Sequence, residues 1–187
     1  VGGPAAPTIE VPAATGAAPL RPAAFLDRDG VINVDHGFTH RPEDLAFTPT
    51  AVAGIRALNR AGYLAIVVTN QSGVARGLYS CADVERFHDH LQQRLAREGA
   101  HIDAFYYCPY HPAGSVAAFA IDHEDRKPRP GMLLRAMREW PIDRAGSFMI
   151  GDRQSDLDAA AAAGIPGFLV PKNSGDLAAQ VRGIVGA

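Results

Sequence analysis

The sequence predicts an α/β fold, a doubly wound parallel sheet with no large cap domain. Short apolar runs alternate with longer stretches of helical spacing, the pattern of right-handed strand–helix–strand crossovers. The run at 64–68 is continuously apolar, as a central parallel strand covered on both faces requires. Between Asp29 and Thr69 lie 39 residues, already used by a loop, a helix and a strand, which leaves no room for a large inserted domain.

In chain order, residues 23–27 read as the first strand. Pro49 opens a helix in whose first turn proline is tolerated. Val52, Ile55 and Leu58 form its apolar stripe, and Gly62 ends it. After the strand at 64–68, Ser80 caps a long helix with Val84, Phe87, Leu91 and Leu95 on its buried face. Residues 104–107 form the third strand. Residues 109–129 carry no clean period, and an irregular stretch of that length inside a compact domain is usually functional. Pro130 starts a helix with Leu133, Leu134 and Met137 facing in. Residues 147–150 are the fourth strand. An alanine-rich helix follows and stops at Gly164, with Pro166 just beyond. Residues 167–170 are the fifth strand, and Leu177, Val181 and Ile184 mark a short closing helix.

At 187 residues the chain is long enough for one domain, assigned to 23–187. Residues 1–22 hold five prolines among Ala and Gly and are expected to be a disordered extension. They lack a charged segment followed by an apolar one, so a signal peptide is not expected. No apolar stretch reaches the roughly 20 residues of a membrane span. A net charge of −2 gives no global attraction to nucleic acid or anionic lipid, so anion binding has to be local. Cys81 and Cys108 make no disulfide framework, and a reducing cytoplasm is the default.

Four constellations carry chemistry. Asp27, Arg28, Asp29 and Gly30 follow the first strand, so two acids one residue apart end a buried segment. Their repulsion and desolvation call for a cation, and a hard cation takes oxygen ligands. Thr69, Asn70, Gln71 and Ser72 end the second strand with a hydroxyl and backbone N–H groups suited to phosphate oxygens. Arg126, Lys127 and Arg129 concentrate positive charge before a helix start. Gly151 and Asp152 end the fourth strand, with Arg153 next. Asp156 and Asp158 lie in the first turn that follows, where acids complement the helix dipole; Asp156 is as well read as a cap as a group behind a metal. In a parallel sheet all strand C-termini share one edge, which gathers Asp27, Thr69, Cys108 and Asp152.

In this order, the elements resemble the haloacid dehalogenase (HAD) superfamily of phosphatases. Within it, the stretches 25–30, 33–37, 68–77, 106–112 and 126–128 are similar to the heptose-bisphosphate phosphatase group, over roughly residues 23–170. The resemblance implies the Rossmann-like fold of that superfamily. It also implies a cytoplasmic hydrolase that removes the C7 phosphate of a heptose 1,7-bisphosphate in making a lipopolysaccharide or related glycan precursor. It casts Asp27 as nucleophile and Asp29 as acid and base, and has Thr69 and Lys127 hold phosphate oxygens. Mg²⁺ would be held by Asp27, the Asp29 carbonyl and Asp152. Arg28, Asp35, His36, Gly37, Phe38, Asn70, Gln71, Ser72, Arg126 and Arg153 would contact substrate, Arg153 standing where the group has lysine.

One departure concerns zinc, which the group commonly holds with Cys-x-His and Cys-x-Cys pairs. Here Tyr110 fills the first His position, and His123 and Asp125 replace the second pair. Cys108, His111, His123 and Asp125 are a weak alternative set, because a tetrahedral site normally needs four N or S ligands. A zinc-free loop at 109–129 is expected. The alternatives are a histidinol-phosphate phosphatase or other small phosphomonoesterase, and an inert phosphosugar-binding module. Expected partners are a small sugar phosphate only, with no nucleic acid or membrane, on a monomer.

Overall fold

The computed structural model describes residues 19–186. The sheet consists of β1 (Arg21–Leu26), β2 (Leu64–Asn70), β3 (Ala104–Cys108), β4 (Ile142–Gly151) and β5 (Gly167–Leu169). All pairings are parallel and the order is β3-β2-β1-β4-β5. The chain winds outward from β1 to β3, then returns to the other side of β1 for β4 and β5. The order therefore reverses between β1 and β4, the place where open α/β sheets form their binding crevice.

The helices are α1 (Ala51–Arg60), α2 (Cys81–Arg97), α3 (Gly131–Glu139), α4 (Gln154–Ala163) and α5 (Leu177–Val185). Buried residues of α1, α2 and α5 cover one face of the sheet with Ala24 and Leu26, and those of α3 and α4 cover the other with Ala23 and Phe25. That alternation along β1 is the two-residue period of a strand buried on both faces. No helix among the described residues is long and apolar enough to cross a membrane.

Several boundaries differ from expectation. β1 begins at Arg21, inside the stretch expected to be an extension; residues 1–18 of that extension lie outside the described residues. β4 begins at Ile142, because Arg21 and Pro22 pair with Ile142 and Asp143 before the register shifts between Pro22 and Ala24. Pro49 precedes the Thr50 cap and is not within α1, while Pro130 caps α3. On α3 the buried stripe is Met132, Leu133 and Ala136; Leu134 and Met137 are only partly buried. β5 stops at Leu169, and a short 3-10 turn at Pro42–Asp44 had no sequence signal. Ser80 does cap α2, reciprocally with Asp83.

The register shift leaves the Ala23 N–H without a ladder acceptor. The Ser147 hydroxyl takes it at 2.9 Å and donates in turn to the Asp143 carbonyl at 2.6 Å, with Ser147 almost fully buried. Ser147→Ala strands that buried donor and should cost about 1–3 kcal/mol. Urea unfolding measures this, and an unchanged midpoint would contradict it.

Candidate active site

The crevice between β1 and β4 opens into a cleft of about 630 Å³. Asp27, directly after β1, and Lys127, from the loop before α3, meet at its floor. The Lys127 ammonium lies 2.9 Å from an Asp27 oxygen, 2.6 Å from Asp156 and 2.8 Å from the Val68 carbonyl. An ammonium has three protons, and here each has its acceptor. Both partners of the Asp27–Lys127 pair are buried. Burial opposes the charge on Lys127, but Asp27 and Asp156 more than offset it and raise its pKa above the ordinary lysine value. For Asp27, burial prevails over Lys127, with Asp156 adding to it, and its carboxyl is raised.

The Lys127 loop is fixed by Asn70 at the end of β2. Its amide donates to the Lys127 carbonyl at 3.0 Å and its carbonyl accepts the Lys127 N–H at 3.1 Å. Asp156 is both a cap, accepting the Arg153 N–H at 3.0 Å, and an ion-pair partner of the lysine. The sequence reading weighed the cap and missed the ion pair, since nothing local to α4 says that Lys127 faces it.

Asp152 ends β4 beside them. Both of its carboxylate oxygens are buried with no hydrogen-bond partner. Burial, then Asp27 and Asp156, push its carboxyl up to about 6. Asp27, Asp152 and Asp156 each place an oxygen within 4.8 Å of the others. Close packing enforces the crowding, since a Cβ on Gly30 would collide with the Asp152 carboxylate, and one on Gly151 with Asp156. Gly30 also has a φ of +90°, open to few other residues.

Asp29 has the opposite environment. Its carboxylate accepts from Arg28 at 2.8, 2.9 and 3.1 Å, from Asn33 at 2.9 Å and from Gln71 at 2.9 Å. Two expected substrate contacts are therefore reassigned. Arg28 is fully buried, with its guanidinium over the Phe87 ring at 4.5 Å, so it holds Asp29 and does not reach the cleft. Gln71 is equally buried, donating to Asp29 and to the Thr69 hydroxyl and accepting from Tyr79.

Thr69, Asn70 and Ser72 line the cleft, as do Asp35, Gly37, Phe38, Arg126 and Arg153. His36 does not; it lines an adjoining surface hollow with His40 and Arg41. Arg153 is largely exposed, 3.6 Å from Asp35 and 3.8 Å from Asp152. Arg76 and Lys172, to which the sequence analysis assigned no role, also line the cleft, as does His111, which it offered only as a weak zinc ligand. Lys172 follows β5 at the same sheet edge as the other site residues, which was the available signal. It pairs with Asp35 at 2.6 Å. Burial works against the Asp35 carboxylate, but Lys172 and the Gly37 N–H hold it below its ordinary value. Asn173 joins the two loops, accepting the Asp35 N–H at 2.7 Å.

Around the 109–129 loop, Cys108 is buried with its thiol pushed up to about 11, first by burial. His123 stacks on Tyr110 at 4.3 Å, Asp125 accepts from Arg135 at 2.8 Å, and His111 accepts from the Ala113 N–H. Among the described residues, the carboxylate trio above is the group gathered for a metal; Cys108, His111, His123 and Asp125 do not form one.

The HAD-hydrolase-like family profile matches residues 125–182. A D-glycero-beta-D-manno-heptose-1,7-bisphosphate 7-phosphatase of Rhodopseudomonas palustris is 50% identical over 82% of this chain and 86% of its own. The chain belongs to the HAD phosphatases, in the heptose-bisphosphate phosphatase family. The equivalent protein of Escherichia coli K12 is 45% identical over 77% of this chain and 75% of its own. Among solved structures, D,D-heptose 1,7-bisphosphate phosphatase from B. bronchiseptica, complexed with magnesium and phosphate, superposes with a TM-score of 0.76 at 32% identity. That match covers 88% of this chain and 98% of the other.

The raised Asp152 pKa has a consequence for the metal-free HAD phosphatase. The folded carboxyl titrates near 6 against an ordinary 3.8, so between those values the folded state holds a proton that the unfolded state has lost. The destabilising contribution is absent below about pH 4, grows as pH rises through that window and is complete above about pH 6. In chelator, Asp152→Asn should be more stable than wild type at about pH 7.5, with the gap closing towards about pH 4. A pH-independent gap in urea unfolding would contradict this.

Proposed function

We propose that this phosphatase hydrolyses the C7 phosphate of a D-glycero-D-manno-heptose 1,7-bisphosphate, with magnesium, through an aspartyl-phosphate. The observation that carries the reading is the division of charge in the cleft: carboxylates and one lysine at the floor, with Arg76, Arg126, Arg153 and Lys172 along the walls. A substrate with a phosphate at each end suits that layout, guanidinium groups being apt for the phosphate that is not cleaved. The names of the similar proteins support the same substrate.

The residues present fit a hard divalent cation. The Asp152 oxygens are buried beside Asp27 with no hydrogen-bond partner, a state that an oxygen-seeking ion resolves. Asp27, Asp152 and the Asp29 carbonyl would hold it, while Asp156 is engaged by Lys127. When bound, magnesium supplies charge neutralisation for the phosphoryl group.

The chain's own residues do the rest. Lys127 pins the Asp27 carboxylate and favours its ionised form. An Asp27 oxygen attacks phosphorus, and the bond from phosphorus to the sugar oxygen breaks as Asp29, which enters this step protonated and with one of its present donors released, gives that oxygen its proton. Water then loses a proton to Asp29 and attacks the phosphorus of the aspartyl-phosphate, releasing inorganic phosphate and the Asp27 carboxylate. The Thr69 hydroxyl lines the cleft beside this centre and serves the phosphate oxygens. Lys127 serves them only by giving up one of its three present acceptors.

Phosphate release is to be compared for both anomers of heptose 1,7-bisphosphate, fructose bisphosphate and histidinol phosphate, with and without magnesium. A heptose bisphosphate should be cleaved best, and preference for histidinol phosphate would overturn the substrate. Asp27→Asn should lower kcat by about 10⁴-fold or more while retaining substrate binding. Magnesium should raise the Tm of wild type and not of Asp152→Asn; equal increments would remove Asp152 from the metal site.

A further inference from the structure

His88 is a buried titratable group for which the proposed chemistry has no direct use. It lies on the core face of α2, 5% exposed, stacked on Phe105 at 4.5 Å and edge-on to Tyr107 at 5.9 Å. Its Nε2 is 3.2 Å from Nη1 of Arg28. A guanidinium can only donate, so Nε2 carries the lone pair and the imidazole is neutral with its proton on Nδ1. Burial first, and Arg28 second, hold its pKa well below the ordinary histidine value.

The rest of the guanidinium is committed. Nε and Nη2 donate to the Asp29 carboxylate, and Nη2 also reaches the Thr39 carbonyl at 2.6 Å. Arg28 thus spans three partners, and His88 accepts at Nη1, the nitrogen that Asp29 does not use. Without that acceptor, a buried donor is left unpaired and the planar group is free to turn towards another partner. Turning it moves the donors that aim Asp29.

We propose that His88 is a positioning residue for the proton transfer, acting through Arg28 to hold the Asp29 carboxylate in line with the sugar oxygen. This rests on the reading of Asp29 as acid and base. An alkyl leaving group needs that proton, whereas p-nitrophenolate departs without one. The kcat/KM values report the first phosphoryl transfer, so the two substrate classes separate aim from general damage.

The experiment compares kcat/KM for the best sugar phosphate and for p-nitrophenyl phosphate in wild type, His88→Leu, His88→Gln and Asp29→Asn. His88→Leu should lose about tenfold or more on the sugar phosphate and less than about twofold on p-nitrophenyl phosphate. His88→Gln, whose amide oxygen can accept from Arg28, should recover most of the loss. Equal losses on both substrates, no loss on either, or a glutamine variant as poor as leucine would overturn the proposal. Should His88→Leu not fold, Arg28→Lys carries the test, because an ammonium cannot span the same partners; the same selective loss is expected, and equal losses overturn. Asp29→Asn keeps the two readings apart. If it shows no selective loss, the acid–base reading fails; if it does and the His88 variants do not, only the positioning role fails.

Discussion

Three buried or half-buried carboxylates crowd together at and just beneath the floor of the cleft with one ammonium, and the rest of the molecule is arranged around that imbalance. Asp27, Asp152 and Asp156 lie within 4.8 Å of one another, while Lys127 is in hydrogen-bond contact with only two of them. Like charges so close in a low-dielectric setting raise one another's pKa. The sheet brings β1 and β4 side by side, so that Asp27 and Asp152 follow rigid strand ends while Asp156 projects from the first turn of α4. Asn70 extends that rigidity to the lysine by gripping its backbone on both sides.

Asp29, two residues from Asp27, is in a contrasting environment. Asp152 has no donors, whereas Asp29 has a guanidinium and two amides. Carboxyl groups with such different surroundings take different roles, one set suited to a cation and a nucleophile, the other to a guided proton. The bond from the Arg28 guanidinium to the Thr39 carbonyl ties this second acid to the loop at 35–40. Lys172 and Asn173 tie the same loop to the end of β5.

The sheet, its direction and its catalytic edge were legible because they follow from local signals: a continuous apolar run at 64–68, glycine at 164 and acids at strand ends. Boundaries were less so. The extension of β4 back to Ile142 depends on pairing with Arg21, which no local pattern records. Within the site, the residue types were readable but their directions were not. The family resemblance casts Arg28 and Gln71 as substrate contacts, yet both are buried and bond to Asp29. Asp156 reads as a helix cap and is one, but its second bond, to Lys127, joins segments 29 positions apart. Arg76 has no local signal, because its loop neighbours the site only on folding, whereas the place of Lys172 just after β5 does mark the shared edge.

The glycines beside the acids carry one more implication. At Gly30 and Gly151 there is no space for a methyl group, because the carboxylates of Asp152 and Asp156 already occupy it. The spacing of the negative charges is thus set by the main chain itself, with bare backbone as the spacer. Side chains further out can be exchanged without moving that spacing. Adjustment of substrate preference can then fall to the outer loops, while the charge geometry at the floor stays unaltered.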